Sequence, residues 1–104
     1  MLLEVGNYEL NLLNGHYWVK GERESETRRA LNPAELRVLS ILMRNKGNVV
    51  KVSEVSSLIY RNRIASAASV DITINTLRRF FRDSNSKFHI EAYCNLGYRL
   101  KKNI

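Results

Sequence analysis

The stretch SVDITINTLRRFF, Ser69 to Phe81, predicts a helix with two different faces. Its apolar residues recur at the i, i+4, i+7, i+11 spacing of a buried stripe, which comprises Val70, Ile74, Leu77 and Phe81. At about 100° per residue, the opposite side presents Ile72, Asn75, Thr76 and Arg79, with Arg78 and Arg82 beside them. Asp71 is the only acid in the stretch. An ordinary solvated face would mix Lys with Glu, so this face is expected to have a specific partner.

The charge of the 104-residue chain is unevenly distributed. Residues 1–43 contain five bases and six acids, a balance of −1, whereas residues 44–104 contain twelve bases and four acids, a balance of +8. This asymmetry indicates that one surface meets a polyanion, and a general solubilising excess of charge is the alternative interpretation. The sequence has no secretory signal and no apolar run of about 18 residues, so we expect a soluble, cytoplasmic chain.

Several classes of function lack the residues that they require. Cys94 is the only cysteine, which excludes an internal disulfide and a cysteine-rich zinc site. His16 and His89 show no metal-ligand spacing. The sequence contains neither a glycine-rich phosphate loop nor a nucleophile–base pair. We therefore expect no enzymatic activity, no metal and no cofactor.

The first 31 residues have the pattern of a small antiparallel sheet. YELNLL and HYWVKG are short aromatic and aliphatic runs separated by Asn14-Gly15, a dipeptide that favours a tight hairpin turn. A charged loop then leads to a short edge strand near Arg28 to Leu31. So small a sheet needs helices to cover one of its faces.

Three helices are predicted within residues 32–83. Asn32 can cap the first, Pro33 suits its first position, and Glu35 completes a capping box. Gly47 is the expected stop of this helix. Its inward stripe is predicted to comprise Leu36, Leu39, Leu42 and Met43. A shorter helix follows from about Ser53 to Tyr60, and the third, over about residues 67–82, contains the stretch quoted above.

The chain ends in a predicted hairpin over residues 87–102. FHIEAY alternates like a strand, Asn95 and Gly97 are expected to supply the turn, and YRL returns as the partner strand. Strands, three helices and a hairpin in this order predict an α+β winged helix-turn-helix, a single domain over residues 1–104. In such a fold the third helix lies in the major groove of double-stranded DNA, and the hairpin, or wing, reaches an adjacent groove.

Three motifs in this order resemble the OmpR/PhoB-type DNA-binding domain of response regulators and of ToxR- or CadC-like membrane-anchored regulators. LNPAELRVLSILMRNKGNVV is similar to the family's Leu-Thr-x-x-Glu helix opening and its Gly-x-Val-Val exit. VDITINTLRRFF resembles the Val-Asp-Val-x-Ile-x-x-Leu-Arg signature, and LGYRL the Gly-Tyr-Arg ending. The resemblance covers nearly the whole chain, and the leading strands correspond to the N-terminal sheet of this branch of winged helices.

The resemblance implies roles for individual residues. Thr76 and Ser69 fall on base-contacting positions, and Tyr60 replaces a tryptophan that touches the DNA backbone. The positions that contact phosphate in the family correspond here to Thr73, Asn75 and Arg78. In the wing, Ala92 and Cys94 stand where the family often has Thr and Arg, so the wing lacks an arginine for a narrow minor groove. Lys51 replaces a serine that caps the second helix; the alternatives are that capping passes to Ser53 or that the lysine contacts phosphate.

The residue types match the two requirements of DNA binding, which are cations for phosphates and short groups for base edges. Asn pairs well with adenine, and Thr and Ile can touch a thymine methyl group, so the face favours A·T-rich sequence. The alternative for Arg78 and Arg79 is a cation that stabilises a helix C-terminus. The predicted DNA-binding set is Tyr60, Arg61, Arg63, Ser69, Ile72, Thr73, Asn75, Thr76, Arg78, Arg79, Arg82, Cys94 and Asn95.

Two functions therefore remain. The first is a sequence-specific transcription regulator, for which the resemblance implies tandem or dimeric binding to direct repeats. The second is a winged helix that serves as an interaction module, with RNA polymerase or a partner regulator. The sheet begins almost at Met1, which argues against a preceding receiver domain, and the head of a membrane-anchored regulator is the other arrangement considered. The target promoter and the input signal are not encoded in these patterns.

Overall fold

Two sheets and three helices make up the computed structural model, which describes residues 1–22, 29–60 and 65–103. The elements, in chain order, are β1 (Leu2–Val5), β2 (Tyr8–Asn11), β3 (His16–Val19), β4 (Arg29–Ala30), α1 (Pro33–Arg44), β5 (Val50–Lys51), α2 (Val52–Ile59), α3 (Ala67–Asp83), β6 (Phe88–Tyr93) and β7 (Gly97–Lys102). An N-terminal sheet, three helices and a C-terminal hairpin confirm the predicted α+β winged helix. No helix among the described residues is long and apolar enough to span a bilayer.

The N-terminal sheet is antiparallel, with strand order β1-β2-β3-β4. The hairpin predicted around Asn14-Gly15 is present, and it pairs Leu10 with Tyr17. The edge strand expected near residues 28–31 is shorter, at Arg29–Ala30, and Arg28 lies outside the described residues. Strand β1 was not predicted. The sequence feature that indicates this strand is the Gly6-Asn7 dipeptide between two short runs, LLEV and YELN, because such dipeptides favour tight hairpin turns.

Helix α1 begins as predicted, but it ends slightly before the predicted stop. The Asn32 side chain accepts a hydrogen bond from the Glu35 backbone N–H at 2.7 Å, and the Glu35 carboxylate accepts one from the Asn32 N–H at 2.9 Å. This reciprocal pair satisfies two backbone donors that have no partner inside the helix. At the other end the helix stops at Arg44 with Asn45 as its C-cap, before the predicted stop at Gly47. Lys46, with a φ of +50°, is the first left-handed residue, and Gly47 follows with a φ of +87°.

Helix α2 differs from the expectation in its cap. It begins at Val52 after Lys51, and no side chain caps its N-terminus. The idea that capping passes to Ser53 is therefore wrong, because Ser53 lies inside the first turn, with its side chain exposed. Lysine carries no acceptor atom, so Lys51 cannot replace the missing serine in this role.

Asn32 and Ser53 give a matched test of helix capping, because only the Asn32 side chain caps a helix. Asn32→Ala removes the α1 capping box and is expected to lower the free energy of unfolding by about 1 kcal/mol. Ser53→Ala removes no capping hydrogen bond and is expected to change it by less than about 0.5 kcal/mol. Urea unfolding monitored by circular dichroism measures both. Equal costs for the two variants would contradict the assignment of the caps.

The core forms where α3 packs on α1, α2 and β6. All four residues of the predicted α3 stripe are buried, at 4% exposure or less: Val70, Ile74, Leu77 and Phe81. The predicted α1 stripe holds in part, because Leu39 and Leu42 are fully buried, whereas Leu36 and Met43 are partly buried at its margin. Phe80 attaches the end of α3 to the N-terminal sheet, with its ring centroid 4.8 Å from that of Tyr17.

The wing is the hairpin of β6 and β7, and β5 adds a third strand beside β7. Its turn differs from the prediction. Cys94 and Asn95 adopt φ angles of +45° and +59°, whereas Gly97 begins β7 and has no positive φ. Glycine is required at position 97 for another reason. A Cβ atom there would overlap the carbonyl oxygen of Val50 on the neighbouring strand β5.

Candidate nucleic-acid interface

The start of α3 is held in place from two sides. Ser66 caps the helix, because its Oγ accepts a hydrogen bond from the Ser69 N–H at 3.1 Å. Just before it, the buried Ser56 hydroxyl of α2 lies 3.1 Å from the Ala65 N–H and 3.2 Å from the Ala65 carbonyl oxygen. This pair of bonds fixes the entry of α3 against α2. Ser56 was not among the predicted residues, although its position three residues before the inward-facing Ile59 indicated the buried side of α2.

The exposed side of α3 carries the residues that the helical period placed there. We call Ile72, Asn75, Thr76 and Arg79 the outer face. Ile72 is 66% exposed, Asn75 and Arg79 are exposed, and Thr76 is half-buried. The exposed isoleucine gives the outer face an apolar contact among polar groups. Asp71 is exposed at the N-terminal end of the same side.

Thr73 does not belong to the exposed surface, which corrects its predicted role in phosphate contact. The residue is only 7% exposed, and its hydroxyl donates a hydrogen bond to the Ser69 carbonyl at 3.0 Å. The physical reason is the helical period, because Thr73 lies three residues after Val70 and therefore on the buried side. Ser69 itself is half-buried, and its hydroxyl accepts a hydrogen bond from the Ser66 hydroxyl at 3.0 Å.

Arg78 links the helix to the wing. Its Nε donates to the Ile90 carbonyl of β6 at 3.2 Å, and its Nη1 donates to the Asn75 side-chain oxygen at 3.3 Å. A guanidinium has five N–H donors, so these two bonds leave others free for an anion. The two bonds also restrict the side chain before any ligand binds, which lowers the entropy cost of binding.

Arg79 and Arg82 are exposed cations of α3, like Arg78, but they make no contact with the described wing residues that is comparable to the Arg78–Ile90 hydrogen bond. Arg82 lies 3.7 Å from the carboxylate of the adjacent Asp83, and its side chain is 75% exposed. Arg79 forms no ion pair within the described part of the chain. An exposed pair such as Arg82–Asp83 is weak in water. Both guanidinium groups are therefore available to an incoming phosphate.

The wing carries fewer free cations than its composition indicates. Glu91 on β6 accepts hydrogen bonds from Arg99 at 2.7 and 3.0 Å and lies 3.5 Å from Lys101. The hydrogen bond from Arg99 is the main reason that the pKa of Glu91 is lowered from its ordinary value. Arg99 also lies over the Tyr93 ring, 5.5 Å from its centroid. At the tip, Cys94 and Asn95 are exposed, so the end of the wing presents a thiol and an amide without a cation.

The remaining predicted residues lie at the ends of α2 or follow it in the sequence. Tyr60 follows α2 and is 36% exposed, and Lys51 is exposed at the N-terminus of α2. Arg61 and Arg63 lie outside the described residues. Over the described ranges, no three His, Cys, Asp or Glu side chains come together as a metal site would require.

Comparison with known proteins agrees with this architecture. The family model described as "Transcriptional regulatory protein, C terminal" matches residues 26–100. The fold is similar to the DNA-binding domain of E. coli CadC, with a TM-score of 0.74, 19% identity and coverage of 97% of this chain and 92% of that one. It is also similar to the DNA-binding domain of CpxR from E. coli, with a TM-score of 0.66, 22% identity and coverage of 100% and 99%.

A search of curated proteins returned no match. The family match covers well over half of the chain, in the region that contains all three helices and most of the wing. The chain therefore belongs to the C-terminal domain family of transcriptional regulatory proteins, and it is a DNA-binding regulator domain of the OmpR/PhoB type, not an enzyme.

Proposed function

We propose that this domain binds double-stranded DNA sequence-specifically, with the outer face of α3 in the major groove. The single observation that carries the proposal is the composition of that face, where the exposed or half-buried Ile72, Asn75 and Thr76 are followed along α3 by three exposed arginines, Arg78, Arg79 and Arg82. The groove admits one α-helix, and its base edges offer partners to these groups. Asn75 suits adenine, and Ile72 and Thr76 suit thymine methyl groups, so we propose an A·T-rich site.

Phosphate contacts are assigned to the cations that border the outer face. Arg78, Arg79 and Arg82 are all exposed, and Arg78 supplies donors that are already directed towards the wing side of α3. With Lys51 and Tyr60 at the two ends of α2, about four to six contacts to the DNA backbone are proposed. Contacts of this number predict a log–log dependence of affinity on salt with a slope of about −4 to −5.

The wing is proposed to touch an adjacent groove through Cys94 and Asn95. Its contribution is expected to be small, because the tip lacks an arginine and Glu91 already engages Arg99 and Lys101. A domain with one helix and a weak wing gains affinity from a second copy. We therefore propose tandem binding to direct repeats about one helical turn apart, with chromosomal DNA at the nucleoid as the target.

The alternative function is an interaction module for RNA polymerase or a partner regulator. The observation that favours it is the wing, where Arg99 and Lys101 are already paired with Glu91. This alternative predicts no preferred DNA site. It also predicts a shallow dependence of DNA affinity on salt, with the slope of a protein that makes only one or two phosphate contacts.

Selection from a randomised duplex pool, followed by salt titration, separates the two functions. For a regulator, one site is selected, Thr76→Ala relaxes the preference at one base position, and Arg78→Ala weakens binding to all sequences alike. Thr76→Ala is expected to reduce discrimination at that base position by about 1–3 kcal/mol at most, because the threonine hydroxyl and methyl no longer meet the base edge. Sequence-independent binding with a shallow salt slope would contradict the proposal that the domain is a sequence-specific regulator. Selection of G-rich sites would contradict only the proposed preference for A·T-rich sequence.

A further inference from the structure

A groove of about 920 Å³ lies apart from the outer face of α3. We call it the basal groove. Its walls are β1, the end of α1, the turn after α3 and the C-terminal half of β7. It meets the wing at Phe88 and Lys102, which are paired at the open end of the hairpin. The six residues of β6 separate this point from the wing tip by about 17 Å, at about 3.3 Å per residue.

The floor of the basal groove is apolar. Val5 and Phe81 close it from beneath, and both are part of the core. Met43 and Leu100 are only partly buried at its sides. Phe88 is 41% exposed at the start of β6, so its ring adds apolar surface to the groove. Nucleic-acid backbones do not need such a floor, whereas the side chains of a peptide do.

The rim of the basal groove is basic. Lys46, Lys87 and Lys102 line it and form no ion pair with any described residue. The Lys102 ammonium lies over the Phe88 ring, 6.0 Å from its centroid. Among the described residues, the one acid on the rim is Glu4, and Lys20 pairs with it at 3.0 Å. The complementary surface is therefore acidic.

One wall of the basal groove is an open sheet edge. β1 pairs with β2 and with no other described strand. The Leu12 N–H donates to the Met1 carbonyl at 3.1 Å, so odd-numbered residues of β1 direct their backbone groups towards β2. The backbone N–H and C=O groups of Leu2 and Glu4 consequently point away from β2, to the unpaired edge of β1. An edge of this kind is a template for a further strand.

We propose that the basal groove binds an extended acidic segment of a partner protein, which adds as a fifth strand beside β1. Its apolar side chains lie over Met43, Phe88 and Leu100, and its carboxylates meet Lys46, Lys87 and Lys102. A second copy of this chain is a poor occupant, since the chain carries a net charge of +7 and would bring like charges together. The proposal is independent of the DNA contacts assigned to α3.

The probe is an acetylated and amidated peptide of about eight residues that alternates Glu with Val. Amide chemical shifts and hydrogen exchange of the whole domain report its position. We expect shifts around the basal groove and slower exchange of the Leu2 and Glu4 amides, because both would donate to the added strand. The same peptide with N-methyl groups at alternate residues is expected to lose binding, since it cannot complete the backbone pairing.

Charge variants complete the test. Lys46→Gln combined with Lys87→Gln is expected to weaken peptide binding about two- to thirty-fold, whereas Lys51→Gln, outside the basal groove, leaves it unchanged. Circular dichroism checks that each variant is folded. The proposal is overturned by no binding at millimolar peptide, by equal binding of a Lys-Val peptide, or by shifts confined to α3, which would mean that the acidic peptide mimics DNA.

Discussion

Leu77→Ala is expected to lower the free energy of unfolding by about 2–5 kcal/mol. Leu77 is fully buried on the inward side of α3, where that helix meets the rest of the core. Truncation removes the transfer free energy of the deleted atoms and leaves a cavity that the packed neighbours fill only in part. Since domains of this size have a total stability of about 5–15 kcal/mol, the variant is expected to unfold at a much lower urea concentration.

Ile72→Ala is the matched control on the same helix. The side chain is 66% exposed, so its truncation is expected to change stability by less than about 0.5 kcal/mol. Its effect should appear in DNA affinity instead, because Ile72 is proposed to contact a thymine methyl group. Equal losses of stability in the two variants would contradict the orientation of α3 on the core.

The double variant Arg79→Ala, Arg82→Ala is expected to weaken DNA binding about 60-fold at about 0.1 M salt, because each phosphate contact contributes about 0.9 to the log–log salt slope. Removing two such contacts makes the slope shallower by about 1.8. Both side chains are exposed, and the only ion pair between them and the described residues is the weak one from Arg82 to Asp83. Folding is therefore expected to be retained, which thermal unfolding verifies.

The control removes the same charge from another surface. Lys46→Gln combined with Lys87→Gln lowers the net charge equally but changes only the basal groove. It is expected to weaken DNA binding by a few-fold at most, through the general field of the protein, which salt screens. If both double variants weakened DNA binding to the same extent, overall charge rather than contact through α3 would explain the affinity.

Local signals predicted the helices well. The capping box of Asn32 and Glu35 depends on hydrogen bonds within a few residues, so the sequence contains all that it needs, and Gly47 marks the end of α1 to within a few residues. The buried stripe of α3 follows from the helical period alone. The same period also placed Ile72, Asn75 and Arg79 on the exposed side, and for that reason the outer face could be described before the fold.

Features that depend on distant parts of the chain were not predicted. β5 is only two residues long and is stabilised by its pairing with β7. Glycine is required at position 97 of β7 because the Val50 carbonyl of β5 lies where a Cβ atom would be. The pairing of Glu91 with Arg99 arises from the register across the wing. In each case the partner is a strand whose position the local sequence does not encode.

Thr73 shows the limit of carrying a role over by position. The resemblance assigned it a phosphate contact, but in this chain its hydroxyl bonds to the Ser69 carbonyl on the buried side of the helix. A short β-branched side chain cannot reach out from that position as a longer one would. The other predicted residues of α3 lie on the exposed side or at its margin, where their contacts with DNA remain predictions.

The most direct test of DNA binding through α3 is the map of amide chemical shifts when a short A·T-rich duplex is added at low salt. We expect the largest shifts on Ile72, Asn75, Thr76 and Arg79, with smaller ones at the wing tip and none around the basal groove. Shifts concentrated around the basal groove, with α3 unchanged, would contradict this binding mode, because DNA would then contact the basal groove and not the outer face of α3.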